Sequence, residues 1–318
     1  MRIITRIALL VLSFLLLLSF VGCSFIDTQQ ETQQITQQET QHIHQYGAWV
    51  TLKDATCTET GQKERLCSCG QKEIQTIPIV EHHYINNVCD MCGKTKASNG
   101  LEYTLINSTY TVTGIGSCKD SMIVIPKEYN GKPVTTIGKD AFRGKAINNV
   151  VIPGSITSIE SGAFSHCDLE SVIIPASVID VGDSVFDFCK KLKNVTFLGK
   201  VKNFGKCMFY GCSALEDIIL PSGIFIIGES TFESCDSLTS ITIPEGVFSI
   251  DEFAFAFCKN LSSITLPSTL VFIWDYAFAD CYHLHSIQYQ GSESQWSHVI
   301  IYADHSTILK AKVNYITD

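Results

Sequence analysis

From Ile123 onward one short pattern of apolar and polar positions keeps returning. In Leu238-Thr239-Ser240-Ile241-Thr242-Ile243-Pro244 the two kinds alternate. A strand there turns Ile241 and Ile243 inward and Ser240 and Thr242 outward. Pro244 has no N–H to donate and ends the strand. The segment recurs as Ile264-Thr265-Leu266-Pro267, Ile218-Ile219-Leu220-Pro221, Val172-Ile173-Ile174-Pro175, Val150-Val151-Ile152-Pro153 and Ile123-Val124-Ile125-Pro126. Val195-Thr196-Phe197-Leu198 holds the same place without its proline. Beyond each strand the chain is expected to turn, bury a pair such as Val247 and Ile250, and return on a short helical or irregular arm.

Three further ladders keep step with the strands. Phe142, Phe164, Phe186, Phe209, Phe232, Phe255 and Phe278 lie at intervals of 22, 22, 23, 23, 23 and 23. Three residues after the second and later ones come Cys167, Cys189, Cys212, Cys235, Cys258 and Cys281, then Leu169, Leu192, Leu215, Leu238, Leu261 and Leu284. No single coil hides its apolar positions, but coils stacked at about 4.8 Å share one core. The pattern therefore predicts an α/β solenoid, a right-handed superhelix of 22–23-residue coils with a parallel β-sheet. The cysteine ladder suits disulfides by its expected spacing. Small apolar thiols filling one repeated core niche is the simpler reading.

The unit Leu-x-x-Ile-x-Ile-Pro…Val-x-x-Ile-Gly-x-x-Ala-Phe-x-x-Cys resembles the BspA-like family of leucine-rich repeats. The resemblance runs over about 101–290 and includes Thr109–Gly116 and Tyr129–Val134. Gly138, Gly182, Gly205 and Gly228 match the family's glycine, whereas Glu160, Asp251 and Trp274 replace it. That position therefore does not require a positive φ. Residues 195–217 depart most from the pattern, so a local distortion is expected there. Residues 97–121 are read as the N-terminal cap, 122–290 as the repeats and 291–318 as the C-terminal cap, with Trp296 over the last coil.

Residues 1–22 carry Arg2 and Arg6 before an apolar run from Ile7 to Val21. This is the form of an export signal. A largely apolar run of 15 residues falls short of the roughly 20 that span a bilayer. Ser19-Phe20-Val21-Gly22-Cys23 resembles a bacterial lipobox, with Phe20 where an aliphatic residue is usual. The resemblance implies cleavage before Cys23, a diacylglycerol on its thiol and a place on the extracellular face of the bacterial cell membrane. Residues 23–44 follow, with Thr-Gln-Gln triplets between Thr28 and Glu39. Such sequence buries too little apolar surface to order itself and reads as a flexible tether.

Residues 45–96 form a small cysteine/histidine module. His44-Gln45-Tyr46 returns as His82-His83-Tyr84, and Cys67-Ser68-Cys69-Gly70 as Cys89-Asp90-Met91-Cys92-Gly93, with Cys57 between. Two CxxC turns complete a tetrahedron around a metal. Cys67, Cys69, Cys89 and Cys92 are thus candidate ligands for a structural zinc, with His44 and His82 as substitutes. Disulfides are favoured outside the cytoplasm, and free thiols are the third alternative. No other cofactor is required.

Composition narrows the function. Charged residues are 17%, against roughly 25% in ordinary domains, and the net charge is −9 with no basic run. Nucleic acid is not an expected partner. GxSxG, HExxH and P-loop motifs are lacking, which argues against an enzyme. His283 and His285 read as a solvated pair. The outward row is Val151, Ile173, Thr196, Ile219, Thr242, Thr265 and Gln288, with the acid Asp217 beside it. β-propensity alone accounts for such a row. A weakly charged binding face is the functional reading. The family resemblance implies adhesion to host or neighbouring-cell surface macromolecules, chiefly protein. The alternatives are a spacer that presents the cysteine module and, less favoured, a zinc-dependent enzyme on that module.

Overall fold

The computed structural model describes residues 44–302 and 307–315. The expected signal segment, Cys23 and all of the tether before His44 lie outside the described residues. The chain divides into two compact units, Met1–Val50 with Glu64–Ile74, and Thr51–Lys63 with Gln75–Asp318.

In the first unit Tyr46 and Cys67 form an antiparallel bridge, and the Gly47 N–H donates to the Leu66 carbonyl at 2.9 Å. The turn from Cys67 closes when the Gly70 N–H donates back to the Cys67 carbonyl, with Gly70 at φ 88°. The Arg65 guanidinium lies 4.7 Å from both the Tyr46 and Trp49 rings.

The second unit is dominated by a parallel β-solenoid. Its front strands are Met122–Val124, Asn149–Val151, Ser171–Ile174, Asn194–Phe197, Asp217–Ile219, Ser240–Thr242, Ser263–Leu266, Ser286–Tyr289 and Lys312–Tyr315. The register pairs like with like: Ile241 faces Ile264, and Ile264 faces Ile287. Side chains alternate as the sequence pattern requires, so Val172 and Ile174 are buried while Ser171 and Ile173 are exposed. A second, side sheet runs from Lys132–Ile137 through two-residue strands such as Ser158–Ile159, Asp180–Val181, Ser249–Ile250 and Phe272–Ile273.

The third side of each coil is a string of turns. Among the described residues the one α-helix is Glu293–Trp296. The return arms need no helix, because their backbones bond from coil to coil. The N–H of Phe142, Phe164, Phe186, Phe209, Phe232 and Phe255 each donates to a carbonyl of the next coil at 2.7–3.0 Å. The phenylalanine rings stack with centroids 5.2–5.8 Å apart and tilts of 3–19°. Each ladder cysteine from Cys167 to Cys281 is buried and donates its S–H to the phenylalanine carbonyl of the preceding coil, at 2.9–3.3 Å. Cys118 also lies in the core, and Cys207 is half-buried on a turn.

Both sheets are interrupted near the aberrant fourth coil. Side-sheet pairing stops between Asn203–Phe204 and Ile226–Ile227, and front-sheet pairing between Asp217–Ile219 and Ser240–Thr242. The front sheet also lapses between Asn149–Val151 and Ser171–Ile174. Leu198 itself is accommodated: its N–H, which proline would lack, donates to the Ile174 carbonyl at 2.9 Å.

At one end Glu102–Ile106 and Thr109–Gly114 make an antiparallel hairpin, with Tyr103 stacked on Tyr129 at 4.0 Å. At the other end Trp296 packs edge-on against Tyr289 at 5.1 Å. Ser292 and Gln295 close a capping box on the short helix.

Candidate binding face and candidate metal centre

Strand alternation places Val151, Ile173, Thr196, Ile219, Thr242, Thr265 and Gln288 outward on the front sheet. Cross-strand register joins them in groups. Ile173, Thr196 and Ile219 are direct neighbours. So are Thr242, Thr265 and Gln288, and Val151 pairs with Val124. Asp217 pairs with Asn194 in the adjoining outward row. Ile173 is 58% exposed and Ile219 77%, whereas Val151, Thr265 and Gln288 are half-buried. The lapse in the front ladder opens a cleft of about 340 Å³ lined by Asp217, Ile219, Ser240 and Thr242. The outward row is therefore three groups, with Val151 apart and the cleft between the other two. His283 and His285 are exposed and turn their Nδ1 atoms to the carbonyls of Lys259 and His283.

A second apolar row lies on the side sheet and was not read from the sequence. Ile179, Phe225, Phe248 and Val271 are all exposed there. Trp274 stacks on Tyr302 at 4.6 Å beside them. A cleft of about 380 Å³ between Asn203 and Ile226 adjoins Phe225. The available signal was the residue directly after each buried Ile224, Val247 and Leu270, which is apolar in three consecutive coils.

Of the four cysteines Cys67, Cys69, Cys89 and Cys92, two fall in each unit. Cys67 and Cys69 group with His44, while Cys89 and Cys92 group with Cys57 and His82. In the second group all ligand atoms lie within 4.8 Å of one another. His82 Nδ1 is 3.4 Å from the Sγ of both Cys89 and Cys92, and the Cys57 and Cys89 sulfurs are 3.7 Å apart. Chain path accounts for the two groupings. Each cysteine turn meets the histidine that precedes it, and Cys57 is carried in by its own tight turn. There Thr56 Oγ1 accepts the N–H groups of Thr58 and Glu59. Burial pushes the Cys89 thiol up, but the N–H groups of Cys92 and Met91 and the His82 ring outweigh it and hold it at about 6. Burial, with hydrogen bonds to Cys92 and Cys89, pushes Cys57 up to about 12. In the solenoid, burial alone dominates: Cys167 rises to about 12, and Cys189, Cys212, Cys235 and Cys258 also rise. Those thiols are inert core groups.

The BspA type leucine rich repeat region matches residues 117–238 and 226–299 in six copies. The chain is similar to a leucine rich cell surface protein from Faecalibacterium prausnitzii, at 21% identity over 64% of this chain and 97% of that one, with a TM-score of 0.33. It is also similar to a leucine-rich repeat protein from Eubacterium ventriosum, at 27% identity and TM-score 0.49, covering 58% of this chain and about half, 51%, of that one. A leucine rich repeat protein of T. pallidum matches at 22% identity over 61% of this chain and 71% of that one, TM-score 0.30. No curated protein matches the chain.

Proposed function

The chain belongs to the BspA-type leucine-rich-repeat family, and from that premise we propose that it is a bacterial surface protein whose solenoid holds a protein partner. Family and fold are those of a repeat scaffold, so the work falls to surfaces rather than to a catalytic constellation. One observation carries the reading. Ile173 and Ile219, 58% and 77% exposed, flank Thr196 on a stiff sheet. Large apolar side chains held outward in register are costly in water and favourable under a partner. Such a face binds by many shallow contacts to a host or neighbouring-cell surface protein. The export-type segment ending at Cys23 supports a lipid anchor, in which diacylglycerol chains hold the protein at the outer side of the cell membrane.

The test immobilises the full chain, captures proteins from a host-cell surface extract, and titrates the captured protein against variants. Ile173→Asp with Ile219→Asp should weaken capture by at least about tenfold, because two carboxylates would be desolvated at the contact. The far-UV spectrum should stay unchanged, since both side chains point away from the core. Unaltered capture by this double variant sinks the proposed face. Capture lost on deleting 45–96 but kept by the double variant would move the role to the cysteine module, as the spacer reading requires.

A further inference from the structure

We infer that Cys57, His82, Cys89 and Cys92 form a structural zinc site that fixes the turn around Asn87 against the first front strand of the solenoid. The distances suit a filled tetrahedron. With Zn–S near 2.3 Å and Zn–N near 2.0–2.1 Å, tetrahedral edges are about 3.8 Å between sulfurs and about 3.6 Å from sulfur to nitrogen. The corresponding separations are 3.7 Å for Cys57–Cys89 and 3.4 Å from His82 Nδ1 to both Cys89 and Cys92. One ring nitrogen equidistant from two sulfurs is poorly served by a single proton. A cation at the centre serves all four atoms at once. Three cysteines and a histidine also suit a Cys₃His site better than disulfides, which would leave one thiol over.

The surrounding chain needs such a staple. Between residues 44 and 97 the buried apolar side chains are Cys57, Cys67 and Cys89 alone. Val50, Leu52, Ile74, Ile79, Val80 and Ile85 are exposed. A segment with no aliphatic core depends on a metal or cross-link for its fold. The ligands are presented by rigid turns: Thr56 ties the loop around Cys57, and the Gly93 N–H donates to the Cys89 carbonyl at 2.8 Å. Four protein ligands leave no position for water, so the site is structural rather than catalytic. The three sulfurs bind as thiolates, so binding releases to solvent whatever thiol protons they still carry.

The site also reaches the solenoid. Asn87 lies between His82 and Cys89, at φ 63°. Its side-chain amide donates to Asp120 at 2.7 Å and to Ser98 and the Met122 carbonyl at 3.2 Å. The Ser98 N–H in turn donates to the Val124 carbonyl, and its hydroxyl accepts the Val124 N–H. Metal at the cluster therefore holds the Asn87 turn on the edge of strand Met122–Val124.

The reduced, metal-stripped full chain is titrated with cobalt(II) and then zinc(II). Cys67→Ser with Cys69→Ser should still bind one tight metal and show the intense visible bands of tetrahedral thiolate-bound cobalt. Cys57→Ser and Cys92→Ser should lose tight binding by more than tenfold, with the solenoid's far-UV signal intact. His82→Cys should keep a tetrahedral site. Zinc should protect residues 51–96 from limited proteolysis, and chelation should restore cleavage there without releasing the repeats. Metal held equally by Cys57→Ser, no metal retained on dialysis, or a Cys57–Cys89 disulfide in the chain as isolated would each overturn the assignment. None of these readouts involves Ile173 or Ile219, so this site and the binding face fail separately.

Discussion

Two residues beside every core phenylalanine stand at positive φ, and most of them are not glycine. One series is Asp140, Gly162, Ser184, Cys207, Ser230, Phe253 and Tyr276; the other is Gly144, His166, Phe188, Gly211, Ser234, Phe257 and Asp280. They bracket each core phenylalanine two residues before and after it. The left-handed turns aim the N–H groups of these residues and of the phenylalanine between them along the solenoid axis, where the next coil's carbonyls accept them. For a residue with a Cβ this conformation costs roughly 1–2 kcal/mol. Ser230→Gly should therefore raise stability by about 1 kcal/mol in urea unfolding, less what the freer unfolded chain takes back. No gain at Ser230 would mean that the coil-to-coil bonds already relieve the strain. The glycines that the repeat does favour do something else. Gly182 is not at positive φ, and a Cβ there would meet the Ser161 backbone nitrogen at 2.6 Å. Close approach of neighbouring coils, not dihedral freedom, is its reason. Glu160 and Asp251 at equivalent places made the absence of a φ requirement legible in the sequence, but the positive-φ series carries no residue signature and was not.

Strands show the reverse balance. Inward and outward positions of the front sheet were readable because period-two alternation is a local property. Where the ladder lapses was only partly readable. The departures in 195–217 mark the neighbourhood, yet Asn194–Phe197 pairs in register with a strand on each side. The lapses border other strands, Asn203–Phe204 and Asp217–Ile219 among them. Ser240–Thr242 keeps one paired neighbour, Ser263–Leu266, and Ile226–Ile227 keeps Ser249–Ile250. Amides on their unpaired sides lack a ladder acceptor. Hydrogen exchange should therefore be faster over 239–243 and 226–228 than over the equivalent residues 262–266 and 249–251. Equal protection at both places would mean the lapses close in solution.

Across the molecule, continuity rests on the third side. Both sheets are interrupted near the middle, but the phenylalanine stack is not: Phe186, Phe209 and Phe232 remain in contact, and the Phe209 N–H still reaches the Thr231 carbonyl. Coils contact chiefly their neighbours, so cooperativity depends on each interface. Phe209→Ala should cost about 3–5 kcal/mol and split the urea transition in two. Phe255→Ala, between coils whose front and side strands both pair, should lower stability while leaving one transition; a single transition in both variants would refute the special role of the junction. The sequence by itself determined the solenoid, its coil length and the inward ladders, because these repeat along the chain and each coil must bury the same positions. Tertiary structure alone decided which histidine meets which cysteines and which apolar residues stay outside on the side sheet. Cys57 and His82 are 25 residues apart with no periodic relation, and their meeting depends on the path of every turn between them.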